Sequence, residues 1–120
     1  MKIIGSKQEQ EFRRELIESH TALFKRNEEG ELLNILKSTF NKMKTAYIIN
    51  WTPEQGEDLY TILINVDTIA KIEISRISSD EKPIIQTYTL KDFNKGLSKV
   101  FQIKLAVAID LAKNDISLLL

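Results

Sequence analysis

An α+β fold is predicted for this chain: an N-terminal helical hairpin, a four-stranded, mainly antiparallel sheet, and a C-terminal helix packed on the sheet. Three observations predict it. Apolar residues recur at helical spacing up to Met43, the pattern changes to period two with many β-branched residues from Thr45, and helical spacing returns after Gly96. At 120 residues, with no repeat and no linker-like stretch, residues 1–120 are expected to form a single domain.

The elements follow in order. Ser6-Lys7-Gln8-Glu9 reads as a capping box that opens the first helix, whose stripe is Phe12, Leu16, Ile17, Leu23 and Phe24. Asn27-Glu28-Glu29-Gly30 reads as a turn. A second helix from about Glu31 follows, with Leu32, Leu36, Phe40 and Met43 on one face, and so short a link predicts an antiparallel hairpin. Tyr47-Ile48-Ile49-Asn50-Trp51 reads as a strand, ended by the breakers of Thr52-Pro53-Glu54-Gln55-Gly56. Residues 59–64 are apolar on both faces, as a central strand requires. Residues 69–76 alternate, with Ala70, Ile72 and Ile74 inward and Lys71, Glu73 and Ser75 towards water. A turn at residues 78–83 precedes a fourth strand at residues 84–88. The links are far shorter than the roughly dozen-residue crossover of a parallel pair, so the sheet is expected to be a meander.

Thr89-Leu90-Lys91-Asp92 has the form of a capped helix start, broken at Gly96. Leu97, Phe101, Leu105, Ala108, Ile109 and Ala112 form one stripe, widened by Ile103, Val107 and Leu111, which makes this helix the main cover of the sheet. Asn114-Asp115 reads as its end, leaving residues 116–120 to dock on the body or add a short strand.

The residues offer little catalytic chemistry, and the expectation is a protein without catalysis, cofactor or metal. Cysteine is absent, so disulfides and thiolate sites are excluded, which fits a reducing compartment. The N-terminus has no long apolar stretch of the signal-peptide kind, and residues 103–109 are too short and too charged to span a bilayer, so a cytoplasmic location is expected. The single histidine, His20, lacks a cysteine partner and a Gly-x-Ser-x-Gly elbow, and reads as an ordinary residue at the core boundary. Gly5, Gly30, Gly56 and Gly96 are scattered singly, so no phosphate-cradling loop can be drawn. Lys91, Lys95 and Lys99 recur every four residues but carry no interleaved aromatics, and read as a solvated face.

Charge is balanced overall, 17 against 17, yet unevenly spread. Residues 51–80 hold two basic and six acidic side chains, a local net of −4, while the flanking segments are each +2. Such a distribution speaks against a broad nucleic-acid surface, which needs a concentrated basic footprint. It suits instead a surface that steers a basic protein partner. Glu54, Glu57, Asp58, Asp67 and Glu73 are the candidate contacts, and Trp51 and Tyr60 in the same stretch are candidate anchors. For Glu54, Glu57 and Asp58 a solvated turn is the simpler reading than a cation site, because the spacing of a calcium loop is missing.

Residues 66–76 (VDTIAKIEISR), 90–99 (LKDFNKGLSK) and 103–112 (IKLAVAIDLA), set in the order helix–helix–four strands–helix, resemble small bacterial immunity proteins of polymorphic or contact-dependent toxin systems. The resemblance covers about a third of the chain and implies a cytoplasmic protein that occludes a cognate toxin without doing chemistry. A nuclease would be a fitting target, since its cleft is basic. The alternative expectation is an adaptor or structural protein of a phage or mobile element, binding another protein through the helical hairpin. Partners are therefore expected to be protein, with neither nucleic acid nor membrane, and a homodimer is compatible with the sequence.

Overall fold

The computed structural model describes residues 7–26, 30–78 and 80–119. Its elements are α1 (Lys7–Phe24), α2 (Gly30–Thr39), β1 (Ala46–Glu54), β2 (Glu57–Ile64), β3 (Thr68–Ser75), β4 (Ile84–Thr89), α3 (Leu90–Phe93) and α4 (Lys99–Leu118). The expected α+β class is present, with two N-terminal helices, four strands and a C-terminal helix packed on them. The Ser6 capping box and the turn at residues 27–29 lie outside the described residues.

The strands form one antiparallel meander in the order β1-β2-β3-β4. Helices pack on both faces of this sheet, which explains the apolar character of β2 on its two sides. On one face, Ala46, Tyr60, Ile62, Ile64, Ala70, Ile72 and Ile74 pack with Leu32, Leu33 and Leu36 of α2 and Leu23 of α1. On the other, Tyr47, Ile49, Leu63 and Ile69 pack with Leu105, Val107, Ala108 and Ala112 of α4 and Leu16 of α1. α1 thus serves both layers. Arg13–Asp110 at 3.1 Å and Lys104–Glu15 at 3.5 Å add exposed ion pairs between α1 and α4, each worth under about 1 kcal/mol.

Four departures from the sequence expectation have physical causes. β1 continues through Thr52, Pro53 and Glu54 instead of stopping at Trp51. Proline is tolerated there because β1 is an edge strand, where a missing N–H need not break a ladder. The register of β1 on β2 runs Ile48↔Ile62 then Asn50↔Thr61, so Ile49 is an extra residue and every later side chain of β1 changes face. Phe40 and Met43 fall just beyond α2 yet still pack on its core, with the Phe40 amide donating to the Leu36 carbonyl at 2.8 Å. Finally, Asn114-Asp115 does not end the last helix. α4 runs on to Leu118, so residues 116–118 neither form a strand nor leave the helix.

Turn chemistry sets the remaining geometry. Gly56 closes the β1–β2 hairpin at φ +75°, a left-handed conformation that glycine adopts without strain. Thr89 caps α3 by accepting from the Asp92 amide at 3.2 Å, as its spacing predicts. Gly96 at φ +80° turns the chain, and Ser98 caps α4 by accepting from the Phe101 amide at 3.2 Å. Leu97 therefore precedes α4 and packs beneath it.

Candidate partner-binding surface

The α4 face of the sheet is covered over only part of its length. Tyr47, Leu63, Ile69 and Tyr88 lie under the helices, whereas the next residues along each strand do not. Antiparallel register places Asn50, Thr61, Lys71 and Gln86 in one row and Thr52, Leu59, Glu73 and Ile84 in the next. These two rows line an open cleft of about 350 Å³. Beyond them, at the tip of the β1–β2 hairpin, Glu54 stands opposite Glu57. The α3 end of the cleft is walled by aromatic rings, with the Lys71 ammonium 5.5 Å from the Tyr88 ring centre and 5.8 Å from that of Phe93.

The structure gathers some of the sequence-predicted acids and separates others. Glu54, Glu57 and Glu73 share the open side of the sheet. Asp58 lies on the opposite side, beside Trp51 and Tyr60. Asp67 sits in the β2–β3 turn, at the other end of the strands, about 20 Å away by the rise of six to seven strand residues; there its carboxylate accepts from the Thr68 hydroxyl at 3.0 Å. The acidic end also contains its own counter-ion. Arg76 Nε lies 3.6 Å from Asp58 Oδ1, and its Nη2 donates to the Glu54 and Glu57 carbonyls. The Arg76 amide donates to the Gly56 carbonyl at 2.7 Å, pinning this arginine across the hairpin turn.

Trp51 is the unusual member of this surface. It is 55% exposed, yet its indole N–H donates to Asp58 Oδ1 at 3.1 Å. The extra residue at Ile49 turns this side chain away from the open cleft and towards the hairpin's other side, next to Tyr60. Tyr60, by contrast, is a core residue. A large aromatic fixed by a hydrogen bond while exposed loses little rotamer entropy on being covered, as interface anchors require. A second hollow of about 330 Å³ runs beside it between α1 and β1, with Trp51, Ser19 and Lys104 among its walls.

Sequence reasoning did not foresee the role of His20. The imidazole Nε2 lies 3.1 Å from the Thr45 hydroxyl, and that hydroxyl donates to Asp115 Oδ2 at 2.8 Å. The Tyr47 hydroxyl donates to the same carboxylate oxygen. The His20 ring stacks on Tyr47 at 4.9 Å and tilts against Phe24 at 4.7 Å. A histidine, a hydroxyl and a carboxylate in series have the composition of a nucleophilic site, but Thr45 is 1% exposed. Its oxygen is enclosed and already bonded, so the group acts as a strut joining α1, β1 and α4. Burial pushes the Tyr47 hydroxyl well above its ordinary value, helped by its bond to Asp115, which keeps it a donor.

Burial also lowers the His20 pKa below its ordinary 6.5, against an opposing pull from Asp115. The folded protein therefore takes up this proton less readily than the unfolded chain, and stability falls as pH drops through 6.5. Melting wild type and His20→Gln in parallel should show the wild-type advantage at pH 7.5 shrinking below pH 6.5. A difference that stays constant across that range would remove the histidine from the acid response.

Lys91, Lys95 and Lys99 are exposed, and Lys95 lies 3.8 Å from Asp92. Among the described residues, no group of three or more His, Cys, Asp or Glu side chains could hold a metal ion. Among the same residues, no helix is long and apolar enough to cross a membrane. Set against known proteins, the chain matches no family model, no curated protein and no solved structure.

Proposed function

We propose that this chain is a protein-binding inhibitor of the immunity type, which neutralises a cognate bacterial toxin in the cytoplasm by covering its active cleft. The observation that carries the reading is the exposed, pre-positioned Trp51 at the acidic tip of a half-open sheet. Glu54, Glu57 and Glu73 supply negative charge on the open side. Trp51 supplies apolar area held in place by Asp58. A basic cleft, such as that of a nuclease, is the chemistry such a tip complements. The acids steer the encounter, and the indole excludes water once docked.

In this assignment Asp58 serves mainly to hold Trp51 and Arg76, and Asp67 stands too far away to share one small footprint with the rest. The test is co-purification of the chain with the product of the adjacent gene, together with rescue of cells expressing that product. Trp51→Ala should weaken the complex by about 30-fold or more, equivalent to roughly 2 kcal/mol. Glu57→Lys should act chiefly on the association rate and flatten its salt dependence. Failure of both co-purification and rescue would count decisively against the reading.

A further inference from the structure

The two edges of the sheet are treated differently by the sequence. β1 carries the devices that keep an edge from pairing: an extra residue at Ile49, Pro53, the charge of Glu54, and α1 packed alongside. β4 carries none of them. Its six residues, Ile84-Ile85-Gln86-Thr87-Tyr88-Thr89, contain no charge and no proline, and its register on β3 is unbroken. Among the described residues no strand pairs with its outer side. α3 does not cover that side, because Phe93 turns inward towards Tyr88 and Lys71. Ile84 is 57% exposed. An uncharged edge rich in β-branched and aromatic residues is a template for another strand.

We propose that β4 is the seam of a two-fold dimer in which two copies pair antiparallel and form one continuous eight-stranded sheet. A two-fold axis normal to the sheet keeps like faces together, so residues of the same parity must stand opposite. Centring the axis on Gln86 meets this condition. It sets Ile84 against the partner's Tyr88 on the α4 side, and Ile85 against the partner's Thr87 on the α2 side. Both pairs are of kinds that favour sheets. Pairing is therefore uncharged along the whole seam. It also closes the association at two copies, whereas an unmatched edge would keep adding strands. The inference does not rest on the toxin reading, whose anchor Trp51 and β1–β2 hairpin lie at the far edge of the sheet, although Ile84 and Gln86 also line the open cleft.

The seam is short, so the dimer should dissociate in the micromolar range, about 1–100 μM. Sedimentation equilibrium of the full chain should give a mass approaching twice 13.8 kDa at the upper end of that range. Gln86→Glu faces Lys71 within its own chain, which preserves the fold, but sets two carboxylates together at the axis. It should weaken the dimer by at least about tenfold. An equimolar mixture with Gln86→Lys should recover the dimer, which a merely destabilised strand would not do. Because the chain has no cysteine, Gln86→Cys should form a symmetric disulfide under mild oxidation, while Asn114→Cys should not. A wild type that stays monomeric throughout overturns the proposal and leaves the edge to a strand of a different protein. So does a dimer indifferent to Gln86→Glu, or one in which the thiols at position 86 fail to cross-link.

Discussion

Asp115→Ala should lower the stability of the domain by about 3 kcal/mol and its melting temperature by about 10 °C. The carboxylate accepts from both the Thr45 and the Tyr47 hydroxyls. Those residues are 1% and 3% exposed. Deleting the acceptor strands the Tyr47 donor where solvent is scarce and leaves the Thr45 hydroxyl only the His20 ring as a partner, and an orphaned buried donor costs about 1–3 kcal/mol. Asp115 itself is part-exposed, so water can enter the space left behind, which holds the estimate below the simple sum. Asp115→Asn keeps an acceptor oxygen without the charge and should cost about half as much.

Two further readings separate this account from a loss of helix propensity at the end of α4. A double-mutant cycle with Tyr47→Phe should return a coupling of about 1 kcal/mol or more, because the two changes remove the same bond. His20 should titrate lower still in Asp115→Ala, since the carboxylate is the group that raises its pKa against burial. Unchanged melting, or strict additivity with Tyr47→Phe, would show that the strut carries no weight.

The same residue shows where sequence reasoning lost ground. Asn and Asp are poor helix formers, so Asn114-Asp115 looks like a stop. Its bonds to β1 lie some seventy positions away in the chain and override the local preference. The helices and strands themselves were legible because the period changed cleanly from helical to two and back. The extra residue at Ile49 was not, since Tyr47-Ile48-Ile49-Asn50-Trp51 alternates as well with it as without it. That single insertion decides that Trp51 stands beside Asp58 and Tyr60 and not over the open cleft.

The acidic surface was half legible. Glu54, Glu57 and Asp58 are neighbours in sequence around a turn and had to be near one another. Glu73 joins Glu54 and Glu57 on the open side because antiparallel register puts it opposite Leu59. Charge alone groups Asp67 with them, although a meander sends alternate turns to opposite ends of the sheet. What no pattern announced is that α4 and α1 leave two rows of the sheet bare. Coverage depends on where helices lie across strands, and hydrophobic spacing does not encode that. Thr61, Lys71 and Gln86 become lining residues only through it.

Asn65→Ala should be about as costly as the loss of Asp115, roughly 3 kcal/mol, for a different reason. Asn65 has φ +54° in the turn after β2, a left-handed conformation that asparagine tolerates better than alanine. Its Oδ1 accepts from the Lys44 amide at 2.7 Å and the Thr45 amide at 3.2 Å, and its Nδ2 donates to the Lys42 carbonyl at 3.2 Å. Its own amide donates to the Thr45 carbonyl at 2.9 Å. Asparagine here closes the β1–β2 ladder where the strand pairing ends. Asn65→Gly loses the side-chain bonds but not the backbone conformation, and should retain about 1 kcal/mol more than Asn65→Ala. Asn65→Asp keeps the acceptor and should be the mildest, so chemical denaturation is expected to rank wild type, Asp, Gly, Ala; alanine above glycine would mean the left-handed backbone carries no cost. Thr45 connects this turn to the buried strut, for its amide and carbonyl bind Asn65 while its hydroxyl binds Asp115. Either truncation lets that residue shift and spoils the bonds of the other, so the double variant Asn65→Ala/Asp115→Ala should lose less than the sum of the singles.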